Sequence, residues 1–262
     1  MSPLVRPLVT LTLLFALGGA SPATRDVSLS YVGYWGGLHM ADTVVITSNR
    51  EGVYRMRLGF QARGLTDVFF GLELSAESEG RQNPRLEPAA YRYQARSHDE
   101  ETRVMVTFDP TTGQGRTVLA EKRDLPGGPW VPRDDEPLSA AMRSSVLDPL
   151  SAFAALGRQT QLAIAAGARE FTIAVFDGRR RYDLEAHVLR RPATDLPRIQ
   201  VRVMPLAGFS QRHLERWRGR RFEITLDRHL WLPVRIEGSI AGVALVIRAV
   251  RTCPPAEGCV PR

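Results

Sequence analysis

The stretch FDGRRRYDL, Phe176 to Leu184, sets an Asp-Gly pair, three consecutive arginines and a second aspartate within nine residues. A carboxylate beside a run of guanidinium groups is raw material for a phosphate or metal site. The flanks give a second reading. EFTIAVF, from Glu170, and RRYDLEAHVL, from Arg180, both alternate apolar and polar residues with the period of two that marks a half-buried strand. Asp177-Gly178 between them is the pair that a two-residue type I′ hairpin turn demands, because both central positions need positive φ. Past the turn, alternation sends Tyr182, Leu184, Ala186 and Val188 to one face and Arg181, Asp183, Glu185 and His187 to the other. The hairpin explains the aspartate and glycine. It puts two arginines at a wet end, with an anion site there as the alternative.

The same alternation recurs outward in both directions. VYRMRLGFQA, Val53 to Ala62, sets Tyr54, Met56, Leu58 and Phe60 against Arg55, Arg57 and Gln61. DTVVITS from Asp42, TDVFFGLELSAES from Thr66, YRYQARS from Tyr91 and TRVMVTFD from Thr102 read likewise, as do RIQVRVMPL from Arg198, RFEITLD from Arg221, LPVRIEGSI from Leu232 and VALVIRAV from Val243. Gly, Asp and Pro separate most of them at short spacing, the mark of an antiparallel sheet rather than of βαβ units. DPLSAFAALGRQ departs from the pattern. Asp148 is an N-cap, Pro149 suits the first helical position, and Gly157 can close a short apolar helix near 148–156, with another turn ahead of it around Ser139 to Ser145. The Pro/Gly-rich DLPGGPWVPRDDEP, 124–137, reads as an exposed loop. The expected fold is mainly β: a strongly curved antiparallel sheet or open β-barrel, with one or two short helices packed on its concave face.

At the N-terminus, Arg6 precedes the apolar run LVTLTLLFAL, Leu8 to Leu17, and the small residues of GGASPA. That is the layout of a secretory signal peptide. The run is too short to cross a bilayer, which takes about 20 residues. Cleavage is expected after Ala20 or Ala23, removing residues 1–23 and leaving 24–262 as one β-rich domain without a transmembrane segment. No cysteine follows the run, which closes the lipoprotein route. The expected location is the periplasm of a Gram-negative bacterium. The two cysteines, Cys253 and Cys259 in CPPAEGC, are then placed to form a disulfide that staples the tail. They make an incomplete zinc site, with no histidine nearby.

The net charge is +7, and 34 of the 35 basic residues are arginine, Lys122 being the one lysine. A solvated arginine surface accounts for this, and lipid phosphates or acidic glycans are the alternative partners; the compartment disfavours nucleic acid. QRHLERWRGRRFE, Gln211 to Glu223, interleaves Trp217 with arginines. It reads as a solvated loop or short helix with Trp217 tucked inward, or as a contact for lipid head groups. The chain carries no Gly-x-Ser-x-Gly elbow, phosphate loop, zinc-protease helix or dinucleotide fingerprint, and its five histidines lack ligand spacing. No catalytic residue, metal or cofactor is assigned.

DPLSAFAAL, VFDGRRRYDL and a late LWLPVRIEG after a signal peptide resemble the bacterial exported proteins grouped as domain-of-unknown-function family 3108. The resemblance spans most of the mature chain. It implies a long, strongly curved antiparallel sheet, similar to the open barrels of lipoprotein carriers of the LolA type. It implies no established activity, and no catalytic residue carries over. The CPPAEGC tail and the PGGPWVPRDDEP loop depart from the family pattern. Two functions follow: a non-enzymatic protein that holds a hydrophobic or amphipathic ligand, or an envelope protein partner, on the concave face; or a hydrolase of envelope glycan or lipid using dispersed carboxylates. A structural scaffold is a third. For the first, the ligand-binding residues are Leu150, Phe153 and Leu156 of the helix and Met56, Leu58 and Phe60 of the facing strand.

Overall fold

The computed structural model describes residues 26–82, 85–133, 138–189, 196–217, 219–240 and 242–253. The first half supplies β1 (Val27–Trp35), β2 (Leu38–Arg50), β3 (Val53–Ala62), α1 (Leu65–Phe70), β4 (Glu73–Gln82), β5 (Leu86–Arg96), β6 (Glu100–Phe108), β7 (Gly115–Asp124) and β8 (Val131–Pro132). A 3₁₀ turn, Ala141–Arg143, precedes α2 (Pro149–Ala165). The second half adds β9 (Glu170–Phe176), β10 (Arg181–Val188), β11 (Arg198–Ala207), α3 (Gln211–Trp217), β12 (Arg221–Leu226), β13 (Pro233–Ile240) and β14 (Val243–Cys253).

All strands join one antiparallel sheet in the order β8-β7-β6-β5-β4-β3-β2-β1-β14-β13-β12-β11-β10-β9. The first and last strands pair in its middle, and each half of the chain is a meander between that centre and one edge. α2 is the connection that carries the chain from one edge to the other. The edges do not pair and the sheet stays open. On its outer side, among the described residues, β9 receives Leu147, whose N–H donates to the Ala174 carbonyl at 2.8 Å and whose carbonyl accepts from Phe176 at 2.9 Å.

The register carries the alternation across the sheet. Val45, Leu58, Ala76, Tyr93 and Val104 are successive cross-strand partners on the inner side. One residue over, Arg57 pairs with Glu77 at 3.0 Å and Arg103 with Glu121 at 2.5 Å on the outer side. Two apolar clusters result. One gathers Leu29, Tyr31, Val45, Tyr54, Met56, Tyr91 and Val106 around Leu150; the other gathers Ile173, Val175, Ile199, Val201, Ile224 and Leu226 around Ala152, Ala155 and Leu156. α2 thus lies on the concave face and serves both halves. Burying a leucine such as Leu150 or Leu156 contributes roughly 1.5–3 kcal/mol.

Three expectations are corrected. The helix does not end at Gly157 but runs to Ala165. Gly157 is an interior position where a Cβ would stand 1.5 Å from the Trp231 carbonyl oxygen, so glycine serves close approach rather than termination. TDVFFGLELSAES is not one strand: Leu65–Phe70 is helical, closed by Gly71 in the left-handed region, and β4 begins at Glu73. The hairpin turn is not the two-residue type. Phe176 faces Arg181 across a four-residue loop, and of its residues only Gly178 has positive φ. Loop 124–137 is mostly exposed over its described part but forms the short β8, and Trp130 lies 4.1 and 4.7 Å from the guanidinium carbons of Arg103 and Arg123. Cys253 ends β14 and Cys259 is outside the described residues, so the proposed disulfide lies beyond them.

Candidate functional site

The N-terminus of α2 is locked to the sheet. The Asp148 carboxylate accepts from the backbone N–H groups of Leu150 and Ser151 at 2.9 and 3.0 Å, as an N-cap does, and its second oxygen accepts from the hydroxyls of Ser78 and Ser151 at 2.8 and 2.5 Å. Tyr54 adds its hydroxyl to Ser151 at 2.7 Å. Burial pushes the Asp148 carboxyl above its ordinary range, against the pull of these hydrogen bonds. Four donors consume it. It anchors the helix and is not available as an acid or base.

The FDGRRRYDL loop ends similarly. The Asp177 side chain accepts from the backbone N–H groups of Arg179 and Arg180 at 2.9 and 2.7 Å, and burial raises its pKa. Gly178 packs on β6, where a Cβ would meet Val104 and Val106 at 2.5 and 2.8 Å, and its carbonyl accepts from the Thr117 hydroxyl. Gly178 is therefore buried and the rest of the loop half-buried, rather than wet. Arg180 stacks 5.5 Å from Phe209, and Arg181 donates to Asp183 at 2.7 Å. The aspartate and both of these arginines are already partnered.

With its N-terminal half committed to the core, α2 leaves open space beside its second half. A pocket of about 400 Å³ lies between that half, the ends of β1 to β5 and the segment before β13. Its apolar wall is Val27, Tyr54, Met56, Leu86, Ala154, Leu230, Trp231 and Leu232; its polar atoms come from Thr47, Ser48, Asn49, Gln82, Arg158, Gln161 and His229. Its wall includes no aspartate or glutamate. Ala154, Arg158 and Gln161 stand at i, i+4 and i+7, so one helix stripe forms one wall. Asp227 positions the opposite wall, accepting from the N–H groups of His229 and Leu230 at 2.7 Å each.

Of the six residues expected to bind ligand, Met56 alone lines this pocket. Leu150 and Leu156 are buried in the two clusters, and Phe153 packs edge-on against Tyr31, ring centroids 6.5 Å apart. Leu58 and Phe60 line two other open pockets, of about 550 and 520 Å³, whose walls also carry the ion pairs Arg57–Glu77 and Arg63–Asp42. Reading Gly157 as a helix stop hid Arg158 and Gln161. The i, i+4, i+7 spacing continuing past it was the available signal.

α3 confirms a short helix over Gln211–Trp217, with Trp217 half-buried and the Arg220 guanidinium 5.8 Å from its ring. No described helix is long and apolar enough to cross a membrane, and no cluster of metal-ligating side chains occurs among the described residues.

A family model described as "Protein of unknown function (DUF3108)" matches residues 30–241. No curated protein matches the chain significantly. Among solved structures, a beta-barrel-like protein of domain of unknown function DUF1849 from Brucella abortus is similar in fold, with a TM-score of 0.53 at 9% identity over 88% of this chain and 98% of that one. At that identity the likeness concerns the fold alone.

Proposed function

We propose, from the premise that this chain belongs to the DUF3108 family of proteins of unknown function, that it is an exported periplasmic protein that holds a hydrophobic or amphipathic ligand beneath its curved sheet. The carrying observation is the pocket beside α2: an apolar wall from the first-half strands, the helix and the segment before β13, about 400 Å³ in volume, near the lower end of the roughly 300–1,000 Å³ that small-molecule sites occupy. α2 fills part of the concave face and walls the remainder. An acyl chain there gains up to about 0.8 kcal/mol per buried methylene before ordering costs, which suffices for micromolar binding. The hydrolase reading finds no acid–base pair in this pocket. The two aspartates whose pKa burial raises, Asp148 and Asp177, are both spent on local hydrogen bonds, and the pocket wall holds no pair of facing carboxylates.

The test is titration with the neutral apolar dye N-phenylnaphthylamine. Saturable binding to the unmodified protein is expected, lost in Ala154→Phe with a nearly unchanged unfolding midpoint, since the added ring can enter the pocket that Ala154 lines. Absence of saturable binding, or binding indifferent to the substitution, overturns this assignment of the site.

A further inference from the structure

We infer that the ligand of this pocket is a single-chain amphiphile with one anionic head group, received by Arg158. The inference rests on the reading that the pocket binds a ligand at all, and adds its chemical class. Arg158 is half-buried on the pocket wall, and no hydrogen bond or ion pair to it exists among the described residues. Several arginines of the sheet are ion-paired instead. Arg57, Arg103, Arg123 and Arg202 are each closed by a glutamate on the neighbouring strand, at 3.0, 2.5, 2.5 and 2.5 Å.

An unpaired guanidinium beside apolar surface has lost part of its hydration without a counter-charge, a cost that a bound anion removes. No charged group on the wall competes for it: the lining holds no carboxylate, and the Gln82 amide oxygen is taken by Asn49 at 2.6 Å. The planar fork of arginine suits carboxylate and phosphate oxygens alike. One helical turn away, Ala154 adds only a methyl group to the wall, and about 400 Å³ is space for one chain rather than two.

The experiment measures displacement of the neutral dye from the full mature protein by decanoate, decyl phosphate, decanol and decylammonium, for the unmodified protein, Arg158→Gln and Arg158→Lys. Both anions should bind roughly tenfold or more tightly than decanol, the gain of a charge-assisted hydrogen bond, and decylammonium most weakly. Arg158→Gln should bring the anions to the decanol level with decanol itself unchanged, and Arg158→Lys should keep part of the preference. The ratio of decanoate to decyl phosphate tells a fatty carboxylate from a phosphate head group. Decanol binding as tightly as the anions, or an anion preference unaltered in Arg158→Gln, overturns the inference and leaves the pocket reading standing. Failure of every compound to displace the dye overturns the inference, and failure of the dye itself to bind overturns the pocket reading beneath it.

Discussion

Gly157 sets how closely α2 can press on the segment before β13. A methyl group there would have to pass through the Trp231 carbonyl, a backbone atom that cannot swing aside as a side chain does. Gly157→Ala is therefore expected to destabilise the protein by about 2 kcal/mol or more despite the better helix propensity of alanine, as overpacked core positions do, measured by denaturant unfolding. An unchanged or raised stability would show that the helix sits further out. Glu101 allows a test by pH. It is buried, and the Arg123 guanidinium at 2.5 Å holds its carboxyl below the ordinary range. Because the folded-state pKa is the lower one, this contribution is fully present above the unfolded value of about 4.3 and is lost as pH falls through the folded value. Glu101→Gln should flatten the acid side of the stability profile, and a slope equal to that of the unmodified protein would contradict the assignment. Asp148, raised by burial, acts in the opposite sense: its stabilisation is present at low pH and fades as pH rises through its folded value. At this scale the sequence was most legible where one residue type has one use. Asp148 and Pro149 were read correctly as cap and first turn; Gly157 was not, because a glycine that ends a helix and one that admits a neighbouring backbone look the same in one dimension.

Among the elements, the strands were legible and α1 was not. β3 and β9 were read with their bounds intact, since one-sided burial writes a period of two directly into the chain. β1 and β7 were missed; β1 is buried on both faces over much of its length, so alternation fades there. In α1, Val68, Phe69 and Phe70 have strand propensity, yet the left-handed Gly71 and the ring of His98, which donates to the Asp67 and Val68 carbonyls at 3.1 and 3.3 Å, close a helical turn. Leu65, Val68, Phe69 and Phe70 are all more than 60% exposed, so the fold does not depend on their burial. Phe69→Ser combined with Phe70→Ser should leave stability within about 0.5 kcal/mol in thermal unfolding. A larger loss would mean that the helix is covered within the protein.

At the scale of the whole molecule, the curved antiparallel sheet followed from repeated short strands and turn residues, but its order did not. Pairing β1 with β14 joins residues more than two hundred positions apart, and alternation marks a strand without naming its neighbour. That closure, with α2 strung between the two edges, creates the pocket from Val27, Met56, Ala154, Arg158 and Trp231, which share no local pattern. This space is proposed as a binding site for an amphiphile rather than a packing remainder. Native mass spectrometry of protein purified from the periplasmic fraction tests it most directly. The expected species is a chain beginning at Ser21 or Thr24 that carries one equivalent of a single-chain anionic amphiphile, absent from Ala154→Phe. A ligand-free chain that also takes up no amphiphile on titration would contradict it.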